Sequence, residues 1–118
     1  MSDYKFNVPF PPSINGYWRT FRNRQIISKR GRDYRISIKK VMQSHGLDKE
    51  LLSGRLRVKI TLEPPAIRKY DIDNFCKALF DGLTHCEFWE DDEQVDRLTI
   101  QKSPKVKGGN VIVEVEVI

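Results

Sequence analysis

The chain has 118 residues, of which 39% are hydrophobic and 31% charged, and its formal net charge is +5. That length suits a single domain over residues 1–118 with a core that needs no staples, and the balance excludes a disordered chain. No apolar run approaches the roughly 20 residues of a membrane span, and two cysteines, Cys76 and Cys86, are too few for a disulfide framework or a cysteine zinc site.

In chain order, Tyr4, Phe6, Val8 and Phe10 alternate with other residues and predict a strand ended by Pro11-Pro12. Ser13-Ile14-Asn15-Gly16 reads as a turn. Tyr17 to Ile27 holds Trp18, Phe21, Ile26 and Ile27 with Arg19, Arg22 and Arg24, and either a hairpin or an ordered loop satisfies its pattern. Ser28 is an N-cap for a helix running to about His45, with Gly46 as its stop. Tyr34, Ile38, Val41 and Met42 form the apolar stripe of that helix. Arg55 to Glu63 alternates strictly, with Leu56, Val58, Ile60 and Leu62 inward. A second helix follows Asp73 as N-cap. Strands are predicted at Val95–Lys102 and from Val111 to Val117, the last after the Gly108-Gly109-Asn110 turn. The order predicts an α+β fold: a mixed β-sheet with two main helices packed on one face.

Charge is unevenly spread. Asp71 to Asp96 holds nine acids and a single base, Lys77, while the remainder holds 20 bases and 7 acids. A basic frame suits a polyanion such as nucleic acid. The acidic segment repels that same polyanion unless cations intervene. The segment Met1–Ser13, MSDYKFNVPFPPS, lacks the apolar core of a secretory signal, so the expectation is a cytoplasmic protein with free thiols.

The second helix has two faces. Taking 100° per residue from Asp73, Cys76, Leu79, Phe80 and Leu83 fall between about 240° and 340°, whereas Asn74, Lys77, Ala78 and Asp81 fall between about 40° and 140°. Lys77 therefore points off the core beside Asp73. Asp71 lies two residues earlier, so in extended chain its side chain can share the direction of Asp73. Taken alone, this is a capped helix with a loop acid and a surface lysine. The pattern is not an EF-hand, since the sixth residue from Asp71 is Cys76 and the twelfth is Gly82. Phe88-Trp89 anchors a second acidic run, Glu90-Asp91-Asp92-Glu93. Carboxylates that converged there with Asp71 and Asp73 would suit Mg²⁺, leaving coordination sites for water and phosphate oxygen.

These residues resemble the RusA-type Holliday junction resolvases. Val8–Arg19 (VPFPPSINGYWR) is similar to the opening motif of that family. Asp71-Ile72-Asp73-Asn74 with Lys77 and Phe80-Asp81 is similar to its central motif, Phe88-Trp89 with Asp91-Asp92 to the next, and Lys107-Gly108-Gly109 to its closing turn. The resemblance implies a RusA-like homodimer that resolves four-way DNA junctions by paired symmetric nicks, in a bacterial or phage setting, with Mg²⁺ or Mn²⁺ and no organic cofactor. By position it implies Asp71, Asp73 and Asp92 as the essential acids and metal ligands, with Lys77 as the catalytic lysine and Asp91 as a neighbour. One departure stands at Tyr70, where the best-known form of the family has an arginine; Arg68 and Lys69 lie just upstream. The basic frame is the expected DNA surface: Arg19, Arg22, Arg24, Lys29, Arg30, Arg32 and Arg35, with Arg68 and Lys69. The alternatives are a nuclease for other branched DNA and a junction-binding protein without catalysis.

Overall fold

The structure is a computed structural model that describes residues 2–118. The chain runs β1 (Tyr4–Val8), α1 (Ile14–Tyr17), β2 (Trp18–Phe21), β3 (Arg24–Ile27), α2 (Lys29–Ser44), β4 (Leu56–Glu63), α3 (Cys76–His85), β5 (Val95–Lys102) and β6 (Asn110–Val117). A 3₁₀ turn at Asp92–Gln94 leads into β5. The main sheet has the order β1-β6-β4-β5. β6 is antiparallel to both β1 and β4, and β4 and β5 are parallel. The expected α+β fold with a mixed sheet is therefore present, with a third, four-residue helix added.

Alternation does the sorting. In β4 and β6, Leu56, Val58, Ile60, Leu62, Val111, Val113 and Val115 are all buried and share one core with the buried residues of α2 and α3. Lys59 lies on the opposite, solvated side, and Arg57 there pairs with Glu116 at 2.9 Å. α2 begins as its sequence predicts: the Ser28 hydroxyl accepts from the Gly31 N–H at 3.0 Å, and Gly46 closes it with φ +69°. Its stripe of Tyr34, Ile38 and Met42 is buried. α2 packs on α3, where Ile38 sits so close to Gly82 that an added Cβ would lie 3.1 Å from its Cγ1.

Tyr17–Ile27, left open by its pattern, resolves into the end of α1 and the β2–β3 hairpin. Arg22 and Asn23 supply its two-residue turn with φ of 51° and 60°, the left-handed pair that a tight hairpin requires. β1 ends at Val8, two residues short of the alternating pattern.

Two expectations for α3 are corrected. The helix starts at Cys76, with Phe75 as N-cap and no capping side chain, so Asp73 is not the cap. The backbone of the preceding turn is already committed. The Asn74 N–H donates to the Asp71 carbonyl at 3.2 Å, and the Asn74 carbonyl accepts from Ile14 N–H at 2.8 Å. The buried face also differs. Ala78, Leu79, Gly82 and Leu83 are buried, whereas Cys76 and Phe80 are half-buried. Packing against α2 rotates the face toward the small residues Ala78 and Gly82, which let two helices approach closely.

Candidate active site

Lys77 occupies the first turn of α3, half-buried and off the core, where the helical face count put it. Its Nζ stands 3.2 Å from Asp81 Oδ2, one turn along the same helix, and 5.7 Å from the centre of the Trp18 ring. Asp81 is gripped from a second side. The Tyr17 hydroxyl donates to Asp81 Oδ2 at 2.9 Å, and the same hydroxyl oxygen accepts from Arg35 Nε and Nη2 at 3.1 and 2.9 Å. Arg35 Nη2 is itself 3.9 Å from Asp81 Oδ2. Burial, and after it the hydrogen bond to Asp81, push the Tyr17 phenol up to about 12 against the opposing pull of Arg35. Tyr17 therefore remains a donor at neutral pH.

The second acidic element is built by Phe88 and Trp89, both fully buried. The Trp89 indole N–H donates to Thr84 Oγ1 at 2.7 Å, which ties the segment to the end of α3. The 3₁₀ turn that follows is held by a buried glutamine. Gln94 Oε1 accepts from the N–H groups of Glu90 and Asp91, both at 2.9 Å, and Gln94 Nε2 donates to the carbonyls of Leu52 and Gly54 at 2.8 and 3.0 Å. Outside it, Arg55 bonds Asp96 at 2.6 Å and the Glu93 carbonyl at 2.7 Å. Asp92 lies beside Asp91, Asp81 and Lys77. Burial, and then the hydrogen bond with Asp91, hold its carboxyl above the usual range, while Lys77 pulls it down. Asp91 is held below that range by its bond with Asp92.

Asp71 and Asp73 are exposed, on the turn before α3. Asp71 lines an open hollow with Lys69, Tyr70, Asn74 and Lys102. Lys102 Nζ donates to the Tyr70 carbonyl at 2.6 Å and stands 4.4 Å from the centre of that ring, and the Tyr70 hydroxyl is buried without a hydrogen-bond partner among the described residues. The parallel register pairs Leu56 with Val95 and Leu62 with Lys102. Asp71 and Asp73 lie on the segment that leads from β4 into α3, and Asp92 on the 3₁₀ turn that leads into β5, close enough to α3 to feel Lys77 and Asp81. Among the described residues no three His, Cys, Asp or Glu side chains form a group able to enclose a metal ion. The donors present are nonetheless carboxylate oxygens. Asp91 and Asp92 form a close acidic pair, and Asp71 and Asp73 have no ion-pair partner among the described residues. Such donors fit a hard divalent cation, which takes one or two carboxylates and fills its shell with water and phosphate oxygen.

The basic residues divide. Arg24, Arg30, Arg68 and Lys69 are exposed with no ion pair or hydrogen bond from their side chains among the described residues. Arg19 and Arg22 flank the half-exposed ring of Phe21 at 5.7 and 5.2 Å on the hairpin. Lys29 pairs with Asp33 at 2.7 Å, and Arg32 Nη1 donates to the Ile27 carbonyl at 3.0 Å. Arg35 faces inward to Tyr17. Sequence reasoning did not single out Tyr17, Gln94 or Arg55 as part of the site. Gln94 had a signal, because Asp91-x-x-Gln94 is a capping-box spacing. Asp81 had one too, sharing the face of Lys77 at i, i+4. Among the described residues no helix is long and apolar enough to cross a membrane.

A sheet and helix frame rich in free arginines, with one lysine lodged among carboxylates, defines a protein built to handle an anionic polymer beside cations. Comparison with known proteins makes this specific: residues 9–118 match the family model described as endodeoxyribonuclease RusA, and the chain belongs to that family. It is 37% identical over 115 residues to the crossover junction endodeoxyribonuclease of Enterobacteria phage HK97, covering 98% of this chain and 95% of that protein. It is 38% identical over 111 residues to the crossover junction endodeoxyribonuclease of Shigella sonnei and 37% to that of Escherichia coli K12, each covering 94% of this chain and 92% of the relative.

Proposed function

We infer that this chain is a crossover junction endodeoxyribonuclease, which hydrolyses phosphodiester bonds in four-way DNA junctions. The observation that carries this reading is similarity to proteins of that name along nearly the whole chain. The chain acts as one domain and as a C₂ homodimer in the cytoplasm of a bacterium or a phage-infected cell. Two equivalent sites related by a two-fold axis are what paired nicks require.

Asp71, Asp73 and Asp92 would hold the metal, Mg²⁺ with Mn²⁺ as a substitute, which polarises the scissile phosphate and acidifies a bound water. Lys77 supplies a fixed positive charge to the phosphate as negative charge builds on its oxygens. Arg24, Arg30, Arg68 and Lys69 hold neighbouring phosphates, and Arg19 and Arg22 do so from the hairpin with Phe21 between them.

The test is cleavage of a mobile four-way junction and of linear duplex, with and without Mg²⁺. Symmetric nicks in the junction alone, dependent on the metal, are expected. Equal cutting of duplex would make the chain a general nuclease, and binding without nicking would make it a junction-binding protein. Asp71→Asn, Asp73→Asn, Asp92→Asn and Lys77→Ala are each expected to lower cleavage at least a hundredfold while junction binding persists. Normal cutting by Lys77→Ala would remove the lysine from the chemistry.

A further inference from the structure

Within the opening motif, Tyr17-Trp18 has no part in the mechanism above, yet it contributes the only fully buried tyrosine among the described residues. Tyr17 is spent on a polar contact: its hydroxyl joins Arg35 to Asp81, and Asp81 holds Lys77. Trp18, the next residue, places its ring 5.7 Å from the same ammonium.

We propose that Asp81 and Tyr17 are positioning residues for Lys77, forming with Trp18 a socket that fixes where its ammonium group stands. The proposal rests on the reading of Lys77 as the lysine of the reaction. An ordinary surface pair at i, i+4 is exposed, as Lys29–Asp33 is, with both side chains more than half exposed. The Asp81 side chain is 17% exposed. Its Oδ2 is shared between the phenol and the ammonium, so rotating away breaks both contacts. The phenol cannot follow, because Arg35 grips it with two N–H groups and its ring is enclosed. The fold makes room for this arrangement at Gly31, where a Cβ would lie 2.9 Å from Tyr17 Cδ1. Arg35 thereby leaves the set of phosphate-binding arginines. It orients the hydroxyl, which donates to Asp81 because its own lone pairs are taken by the guanidinium.

A long lysine side chain has several rotatable bonds, and fixing it before substrate arrives removes an entropic cost from the reactive geometry. The socket also supplies a counter-charge that keeps the ammonium in place in the free protein.

The experiment uses the full chain with ¹⁵N-labelled lysine, free of metal and DNA. The Lys77 ammonium resonance, assigned by its loss in Lys77→Arg, is expected to be protected from rapid exchange in the parent protein. It should broaden away in Asp81→Asn and in Tyr17→Phe, the latter keeping the buried ring and losing only the hydroxyl. In parallel, the single-turnover cleavage rate of both variants should fall ten- to a hundredfold, with junction affinity within threefold of the parent. Asp81→Glu should recover part of the rate that Asp81→Asn loses. An unchanged ammonium resonance in both variants, or equal rates for Asp81→Glu and Asp81→Asn, overturns the proposal. Should the parent protein cut no junction at all, the functional reading fails, and the resonance still decides whether the socket exists.

Discussion

A methyl group at position 31 would stand 2.8 Å from Ile27 Cγ1, 2.9 Å from Tyr17 Cδ1 and 3.0 Å from the Tyr17 carbonyl oxygen. Glycine in the first turn of α2 looks like a weakness, since alanine is better in helices by roughly 1 kcal/mol. Overpacking a filled space costs about 1–3 kcal/mol, and one of the contacts is backbone, which cannot swing aside. Gly31→Ala is therefore expected to destabilise the protein by up to about 2 kcal/mol, the overpacking cost less the helix gain, read as a lowered urea midpoint at unchanged m-value. A rise in the midpoint would mean that Tyr17 has space to retreat. Single residues were legible in unequal degree. Lys77 was placed off the core by angle alone, because one helix fixes the direction of its side chains. Tyr17 was not legible, since an aromatic beside a turn belongs to no periodic pattern, and its burial comes from α2 and α3 closing over it. Gly31 carried only its helix-weakening signature, because its reason lies in a residue fourteen positions earlier in the chain.

At the scale of elements, the turn before β5 is held by its own Gln94, which ties it to the Leu52–Gly54 segment, and by Arg55 from outside. Removing Gln94 would strand the buried carbonyl of Leu52, the part-buried carbonyl of Gly54 and two part-buried backbone N–H groups. Gln94→Ala is expected to cost about 1–3 kcal/mol, the penalty for one unsatisfied buried group, since water can reach the other three. Thermal unfolding measures it, and a loss under about 0.5 kcal/mol would mean that the turn stands without its clamp. Arg55 acts on the same turn by charge. Its hydrogen bond holds the Asp96 carboxyl below the usual range. A depressed carboxylate lends stability that is whole above its unfolded value of about 4 and vanishes as pH falls through the lower folded value. The melting temperatures of Arg55→Ala and the parent should therefore differ at pH 7 and draw together by pH 2. A gap that persists in acid would trace the effect to packing of the guanidinium stem. Most elements were legible: β4, β5, β6 and α2 sit within a residue or two of their periodic patterns. The start of α3 was not, because Asp73 has the chemistry of a cap, and only the tertiary bond from Ile14 to Asn74 shows that the backbone there is already occupied.

For the molecule as a whole, the free arginines and the acids make opposite demands on salt and metal. If Arg24, Arg30, Arg68 and Lys69 contact phosphates, each neutralisation should reduce the slope of log affinity against log salt by about one. An unchanged slope in the fourfold variant would take this surface out of the interface. The acids, carried on two separate segments, raise a separate question that titration calorimetry with Mg²⁺ answers. If Asp71→Asn and Asp92→Asn abolish the same binding event, one ion draws on both segments; if each abolishes a different event, the segments hold separate ions. The mixed sheet was foreseen from alternating strands, but its order was not, because alternation says which face is buried and is silent on which strand lies beside which.

That order has a consequence for how the protein comes into being. β6 is the last strand in the chain and lies between β1 and β4 in space, pairing with both. A ribosome that has delivered everything up to Gly109 has made β1 and β4 and withheld the strand that separates them. Until Val111, Val113 and Val115 emerge, β4 has only β5 beside it and β1 has no partner in the sheet, so the four-stranded sheet closes only with the last of its strands.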